Sequence, residues 1–176
     1  MKIQPISENP NHSSPLLVAI YWDFENLRIP RRQVPWLKDL PQWLKDLAQS
    51  RGCLVSRKVY SHWQPTTEKY KHILENRDFE VIDVKEKGKN SVDRQLESEC
   101  RQEFNSDLAP DILILVSGDK KYIPLVRDLQ GLGKQVIIVG PLRRTNYELI
   151  SLAEVGFWVS NGGIIPLSEI VASNFA

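Results

Sequence analysis

Three stretches of the sequence are apolar at almost every position, and they limit the possible folds more than any other feature. They are LLVAIYWD at 16–23, DILILVS at 111–117 and QVIIVG at 135–140. A strand with one face in water alternates apolar and polar residues, whereas a strand that is apolar throughout is buried on both faces. Such strands are typical of a parallel sheet that is covered by helices on either side.

Helices and further strands alternate between these stretches. Candidate strands also span 53–60, 79–84 and 156–159, candidate helices span 36–50, 66–76, 91–105, 120–131 and 145–153, and a turn or helix follows Pro166. Pro41 is expected near the start of its helix, and Ser91 is expected to cap the helix at 91–105. Short links between strands and helices indicate right-handed βαβ units. We therefore predict an α/β fold, with a doubly wound, mainly parallel sheet and helices on both faces.

The length of 176 residues, with 41% hydrophobic residues, fits one domain that has a core of ordinary size. Residues 1–14 are polar and contain two prolines, so we predict a flexible lead-in there and a single domain over residues 15–176. The formal net charge of +1 argues against a nucleic-acid binder that relies on overall positive charge. The position of the charges matters more than their sum.

Cysteines, histidines and targeting signals point away from several classes of protein. Cys53 and Cys100 form no CxxC pair, and the three histidines share no ligand spacing, which argues against a disulfide framework or a zinc site. No signal pattern opens the sequence, and no apolar run approaches the roughly 20 residues that span a bilayer. We expect a cytoplasmic protein with no membrane partner.

Acidic residues follow several of the predicted strands. Asp23 ends the first strand, Asp93 lies at a helix start after the third, and Asp119 follows the fourth. In doubly wound sheets, ligands bind at the carboxyl ends of the strands, where the strand order reverses. We therefore expect Asp23 and Asp119 to lie side by side, with Asp93 and Glu99 closing the ring. The alternative for each acid alone is that it caps a turn or the next helix.

Crowded carboxylates repel one another unless a cation neutralises them. Oxygen ligands without His or Cys suit Mg²⁺ or Mn²⁺, and such an ion activates water and stabilises charge on a phosphodiester. The positions of these acids therefore favour metal-dependent cleavage of nucleic acid.

Three segments carry a resemblance to a known family. IYWDFENL, KGKNSVD and VSGDKKYIPLVRDLQGLGKQVIIVG resemble the NYN domain family of PIN-like nucleases, over about residues 16–160. The resemblance implies a Rossmann-like, PIN-like fold and a metal-dependent ribonuclease-like site. It also implies that Asp23, Asp93 and Asp119 bind metal and that Asn26 matches the asparagine of the first motif.

Two positions depart from the family pattern. Lys121 stands where a second acid usually follows the SGD aspartate, and Glu99 stands where an aspartate is common. The lysine removes an oxygen ligand and adds a positive charge, so we expect one metal ion and not two. It could grip a phosphate, replace a second metal electrostatically or mark a site that no longer cuts.

Basic and aromatic residues occupy the loops at the same edge of the sheet. The basic ones are Arg28, Arg31, Arg32, Lys85, Lys87, Lys89, Lys120, Lys121, Arg143 and Arg144. Such a rim offers phosphate contacts beside a metal site, although charged loops are often simply solvated. Trp63 is expected either to stack on a base or to pack at the edge of the core, and Tyr122 is expected to be buried.

The leading hypothesis is a Mg²⁺- or Mn²⁺-dependent endoribonuclease that uses Asp23, Asp93, Asp119 and Asn26. The second is an RNA-binding module of the same fold that has lost catalysis through Lys121. A phosphatase of the haloacid dehalogenase type is disfavoured because Glu25 stands where that chemistry needs a second aspartate, and no glycine-rich turn supports a dinucleotide-binding enzyme. A homo-oligomer remains open.

Overall fold

In the part of the chain that the structure describes, seven strands form one mixed sheet. The computed structural model describes residues 14–29, 39–160 and 162–169. The strands are β1 (Leu17–Asp23), β2 (Cys53–Ser61), β3 (Glu80–Asp83), β4 (Ile112–Val116), β5 (Gln135–Pro141), β6 (Val155–Ser160) and β7 (Gly163–Pro166). The helices are α1 (Leu40–Arg51), α2 (Glu68–Glu75), α3 (Ser91–Phe104), α4 (Ile123–Gly131) and α5 (Tyr147–Leu152), with a 3-10 turn at Lys120–Tyr122.

The strand order is β3-β2-β1-β4-β5-β6-β7. The first six strands run parallel, and β7 pairs antiparallel with β6. The chain moves outward from β1 to β3 and then returns to place β4 on the other side of β1. This reversal is the topological switch point of a doubly wound sheet. The predicted α/β fold class, with its mainly parallel sheet, is confirmed.

The two faces of β1 belong to two different cores. Ile20 and Trp22 lie in one apolar cluster with Leu44 of α1 and Leu74 of α2. Tyr21 lies in the other cluster, which residues from α3, α4 and α5 complete. Because each fully buried side chain of this size contributes about 1.5–3 kcal/mol, an unbroken apolar strand is stable only with helices on both faces. The sheet therefore holds the carboxyl end of β1 in a fixed place.

Three details differ from the predicted elements. The antiparallel strand β7 was not predicted, because glycine and proline at its ends are weak strand signals. Ser91 is the first residue of α3 and not its cap, since Asn90 precedes the helix in a left-handed conformation with φ 67°. The helix expected at 36–50 begins at Leu40, with Pro41 in its first turn. Residues 1–13 of the predicted lead-in lie outside the described residues.

Within the described ranges, the helices are too short or too polar to cross a membrane.

Candidate active site

Asp23 ends β1 at the switch point and is almost completely buried, with 3% of its surface exposed. Its Oδ1 accepts hydrogen bonds from the backbone N–H groups of Glu25 and Asn26, both at 3.1 Å. Its Oδ2 accepts one from the hydroxyl of Tyr122 at 3.2 Å. Burial, followed by the nearby charge of Asp93, raises the pKa of Asp23 to about 7. The fold thus holds a carboxyl group where its ionised form is disfavoured.

Asp93 lies in the first turn of α3, and the hydroxyl group of Tyr122 lies within hydrogen-bond distance of both Asp93 and Asp23. Its Oδ1 lies 3.5 Å from the Tyr122 hydroxyl, which therefore stands between the two carboxyl groups. Tyr122 is fully buried, as the sequence predicted. Burial, together with the charges of Asp23 and Asp93, raises the pKa of Tyr122 well above its usual value. Tyr122 consequently remains a hydrogen-bond donor to the acids.

Asp119 follows β4 and begins the 3-10 turn. Its Oδ1 accepts a hydrogen bond from the backbone N–H of Lys121 at 3.0 Å, and its own N–H donates to Ser117 Oγ at 3.2 Å. The capping role that an isolated aspartate often has is therefore present here. Its second oxygen, Oδ2, faces the ammonium group of Lys121 at 3.3 Å.

Lys121 supplies a positive charge between two of the acids. Its Nζ lies 2.9 Å from Asp93 Oδ2, 3.3 Å from Asp119 Oδ2 and 2.7 Å from Asn90 Oδ1. The bond to Asp93 is the main cause of a raised Lys121 pKa, so the amine is charged. The structure thus brings Asp23, Asp93 and Asp119 together, linked through Tyr122 and Lys121.

Asn26 connects the loops that follow β1 and β4. Its Oδ1 accepts a hydrogen bond from the backbone N–H of Gly118 at 2.8 Å. A Cβ atom at Gly118 would lie 2.6 Å from Cα of Thr145, so a side chain there would force the backbone apart. These contacts fix the SGD segment against β1 without a metal ion.

His62 is a site residue that the sequence analysis missed. It directly follows β2, and its Nδ1 lies 2.7 Å from Glu25 Oε1. Its Nε2 lies 3.0 Å from both the carbonyl oxygen of Glu86 and Ser91 Oγ. Since the carboxylate and the carbonyl only accept, both ring nitrogens donate, and the contact with Glu25 is the main cause of a raised His62 pKa. The position after a strand, and not any ligand spacing, is the signal that could have identified it.

These side chains surround a cavity of about 350 Å³. Its lining includes Asp23, Glu25, Asn26, His62, Lys89, Asn90, Asp93, Asp119 and Lys121. The cavity is polar and open to solvent, so it suits a charged ligand better than an apolar one.

Glu99, expected to close the ring of acids, lies elsewhere. Its Oε2 accepts a hydrogen bond from the Tyr60 hydroxyl at 2.7 Å, and its Oε1 accepts one from Gln95 at 2.9 Å. Six residues turn a helix by roughly 600°, so Glu99 and Asp93 leave α3 about 120° apart. Glu99 lines a separate groove of about 860 Å³ beside Lys58.

Trp63 takes part in core packing and does not line the acidic cavity. Its ring centroid lies 5.0 Å from that of Phe24, and its indole N–H donates to the carbonyl oxygen of Ile82 at 3.0 Å. Of the two roles considered for Trp63, packing at the edge of the core is the one that this geometry favours.

The predicted basic rim is partly described. Lys89 borders the cavity, and Arg144 Nη2 donates to the carbonyl oxygen of Asn26 at 3.0 Å. The exposed remainder consists of Arg28, Lys85, Lys87, Lys120 and Arg143. Arg31 and Arg32 lie outside the described residues, so their role stays a prediction.

The donor chemistry of the cavity fits a hard divalent cation. Asp23, Asp93 and Asp119 offer only oxygen. Burial, and after it the charge of Asp93, raises the pKa of Asp23, and a bound cation would offset both effects. The present arrangement is not a formed metal site: among the residues described, no three His, Cys, Asp or Glu side chains gather in a group that could hold an ion. Instead, the ammonium of Lys121 lies between Asp93 and Asp119.

Comparison with known proteins agrees with this geometry. The model of the NYN domain matches residues 17–160. The fold also resembles a crystallised protein of unknown function from Vibrio parahaemolyticus, with a TM-score of 0.66 and 23% sequence identity, over 90% of this chain and 100% of that chain. At this identity the likeness concerns the fold alone. No curated protein matches the chain at a significant level.

Proposed function

Because the chain belongs to the NYN domain family, which is nuclease-like, we propose that it is a metal-dependent nuclease that hydrolyses phosphodiesters in RNA. The observation that supports this most strongly is the convergence of Asp23, Asp93 and Asp119 at the switch point of the sheet. Three separate segments of the chain provide these acids, and Tyr122 and Lys121 contact them in pairs.

Each residue has a definite role in this proposal. Asp23, Asp93 and Asp119 would hold one Mg²⁺ or Mn²⁺ ion, which when bound lowers the pKa of a water and stabilises charge on the phosphate. Tyr122 keeps Asp23 and Asp93 in position through its shared hydroxyl. Asn26 keeps the loops after β1 and β4 in register.

The basic rim would hold the RNA backbone. Lys89 borders the cavity, and Arg144 lies at the loop after β1, where its guanidinium already contacts the backbone of Asn26. Arg28, Lys87, Lys120 and Arg143 are exposed and free to reach further phosphates. Charge contacts of this kind make binding weaken as salt rises.

Cleavage of labelled RNA and DNA in Mg²⁺, Mn²⁺ and chelator tests the proposal. Asp23→Asn and Asp119→Asn should each lower cleavage at least about a hundredfold, because each removes a charged ligand. Asp107→Asn, which removes the same charge from an exposed loop, is the matched control and should cleave as the wild type does. Equal cleavage by the Asp23 and Asp119 variants would contradict the proposal.

A second candidate is an RNA-binding module that no longer cuts, and the position of Lys121 favours it. An ammonium held by Asp93 and Asp119 occupies the place of a cation in this chain. This candidate predicts RNA binding that needs no divalent ion and no turnover in any ion tested. Lys121→Asp, compared with Lys120→Asp at the exposed neighbour, separates the two: cutting that appears only in the Lys121 variant identifies a silenced site.

A further inference from the structure

Lys121 has the surroundings of a bound cation. Its ammonium group has three N–H donors, and three oxygen atoms, from Asn90, Asp93 and Asp119, lie within 2.7–3.3 Å of Nζ. Two of these oxygens belong to the carboxylates that the proposed function assigns to the metal. The lysine and a divalent ion therefore require the same ligands.

The side chain of Lys121 can leave this position without disturbing the fold. The backbone of Lys121 is fixed by the hydrogen bond from its N–H to Asp119 Oδ1, which does not involve the ammonium. The side chain is 42% exposed, whereas those of Asp93 and Asp119 are 14% and 26% exposed. Lys121 is the more exposed partner in both pairs, so Nζ can move into solvent while the two carboxylates stay in place. The carboxylates then lose a neutralising charge, which a bound ion would restore.

A divalent ion and the ammonium cannot both stay beside Asp93. Two unit positive charges 4 Å apart near a protein surface repel by about 4 kcal/mol, and a divalent ion doubles that repulsion. Because the ion would also take the carboxylate oxygens that now hold Nζ, metal binding would favour movement of Nζ away from them. A phosphodiester bound at the cavity would offer the displaced ammonium a new negative partner, because Lys121 lines the cavity.

We propose that Lys121 is a tethered cation that couples metal binding to RNA binding. In the free protein it neutralises Asp93 and Asp119 and weakens metal binding. When RNA is present, Nζ moves to a backbone phosphate and releases both carboxylates to the ion. Linkage requires the converse as well, so the bound ion raises RNA affinity by the same factor. This inference rests on the proposed metal-dependent function and concerns the regulation of that site.

The coupling can be tested without measuring cleavage. The full chain is titrated with Mn²⁺ in a calorimeter, and the Mn²⁺ affinity is compared with and without RNA. The probe is a short single-stranded oligouridylate with phosphorothioate linkages, which slow its hydrolysis. In the wild type, this RNA should tighten Mn²⁺ binding about tenfold, within the usual range for coupled sites. Lys121→Met should bind Mn²⁺ about tenfold more tightly without RNA and gain little when RNA is added.

Lys69→Met is the control, because it removes an exposed positive charge from α2, outside the lining of the cavity, and should keep the wild-type affinity and coupling. If Lys121→Met binds Mn²⁺ no more tightly than the wild type, Lys121 does not compete with the metal and the inference is wrong. If neither the wild type nor Lys121→Met binds Mn²⁺, the metal-dependent function is wrong as well. Coupling without cleavage would support the tethered cation and contradict only the catalytic part of the proposed function.

Discussion

Replacing Asp23 with asparagine is expected to stabilise the metal-free protein at neutral and basic pH. Asp23 has a pKa of about 7 in the folded protein, against 3.8 for an ordinary aspartate. The folded state therefore binds a proton more tightly than the unfolded state, and stability falls as pH rises between these two values. Above this range, ionised Asp23 lowers the free energy of unfolding by a constant amount. That amount is at most about 4 kcal/mol, because each unit of pKa difference corresponds to about 1.36 kcal/mol.

Asparagine keeps the size of the side chain and carries no charge. Its carbonyl oxygen can still accept from the N–H groups of Glu25 and Asn26, and its amide can donate to the oxygen of Tyr122. Any difference in these hydrogen bonds is independent of pH. The change with pH in the stability difference between Asp23→Asn and the wild type therefore reports the ionisation of Asp23 alone.

The assay is urea unfolding of the wild type and Asp23→Asn in chelator across a pH series. The stability advantage of the variant should grow by about 2.5 kcal/mol between about pH 5 and pH 8. Asp107→Asn, which removes the same charge from an exposed loop, is the matched control. Excess Mn²⁺ should stabilise the wild type but not Asp23→Asn. A pH-independent difference would refute the claim that burial and the charge of Asp93 disfavour the ionised carboxylate.

Three further substitutions test other parts of the site. Tyr122→Phe removes a hydrogen bond that lowers the pKa of Asp23, so the pH window of the same unfolding series should move upward. Gly118→Ala should destabilise the protein by about 1–3 kcal/mol in urea unfolding, because its Cβ would lie 2.6 Å from Cα of Thr145. His62→Gln should destabilise the protein most below about pH 6.5, and the difference should shrink as pH rises through the raised pKa of His62, as unfolding at several pH values would reveal. A constant difference would show that His62 does not act as a cation.

Much of the fold could be predicted because its signals are local. Strands β1, β4 and β5 are apolar at nearly every position, and only a sheet covered on both faces buries such strands. The pairing of β1 with β4 then followed from the doubly wound order. That order placed Asp23 and Asp119 at neighbouring strand ends, which is why their proximity could be predicted from the sequence.

The finer features of the site depend on the directions in which side chains point, and the spacing of residues along the sequence does not specify these directions. Glu99 was assigned to the metal by its distance along α3, but helical rotation directs it to Tyr60. His62 shows no ligand spacing in the sequence, and its contacts to Glu25 and Glu86 form only because the loops after β1, β2 and β3 meet in the fold. The placement of Lys121 between two acids depends on the path of a flexible side chain and has no sequence signature.

The hydrogen bond from the Gly118 N–H to Asn26, and those from two backbone N–H groups to Asp23, join protein atoms directly. They hold the loops after β1 and β4 in place, so a protein of this fold would need the same residues there whether or not it cleaves RNA. The sequence motif that contains Asp23 and Asn26 is therefore evidence of the fold and not, by itself, of catalysis.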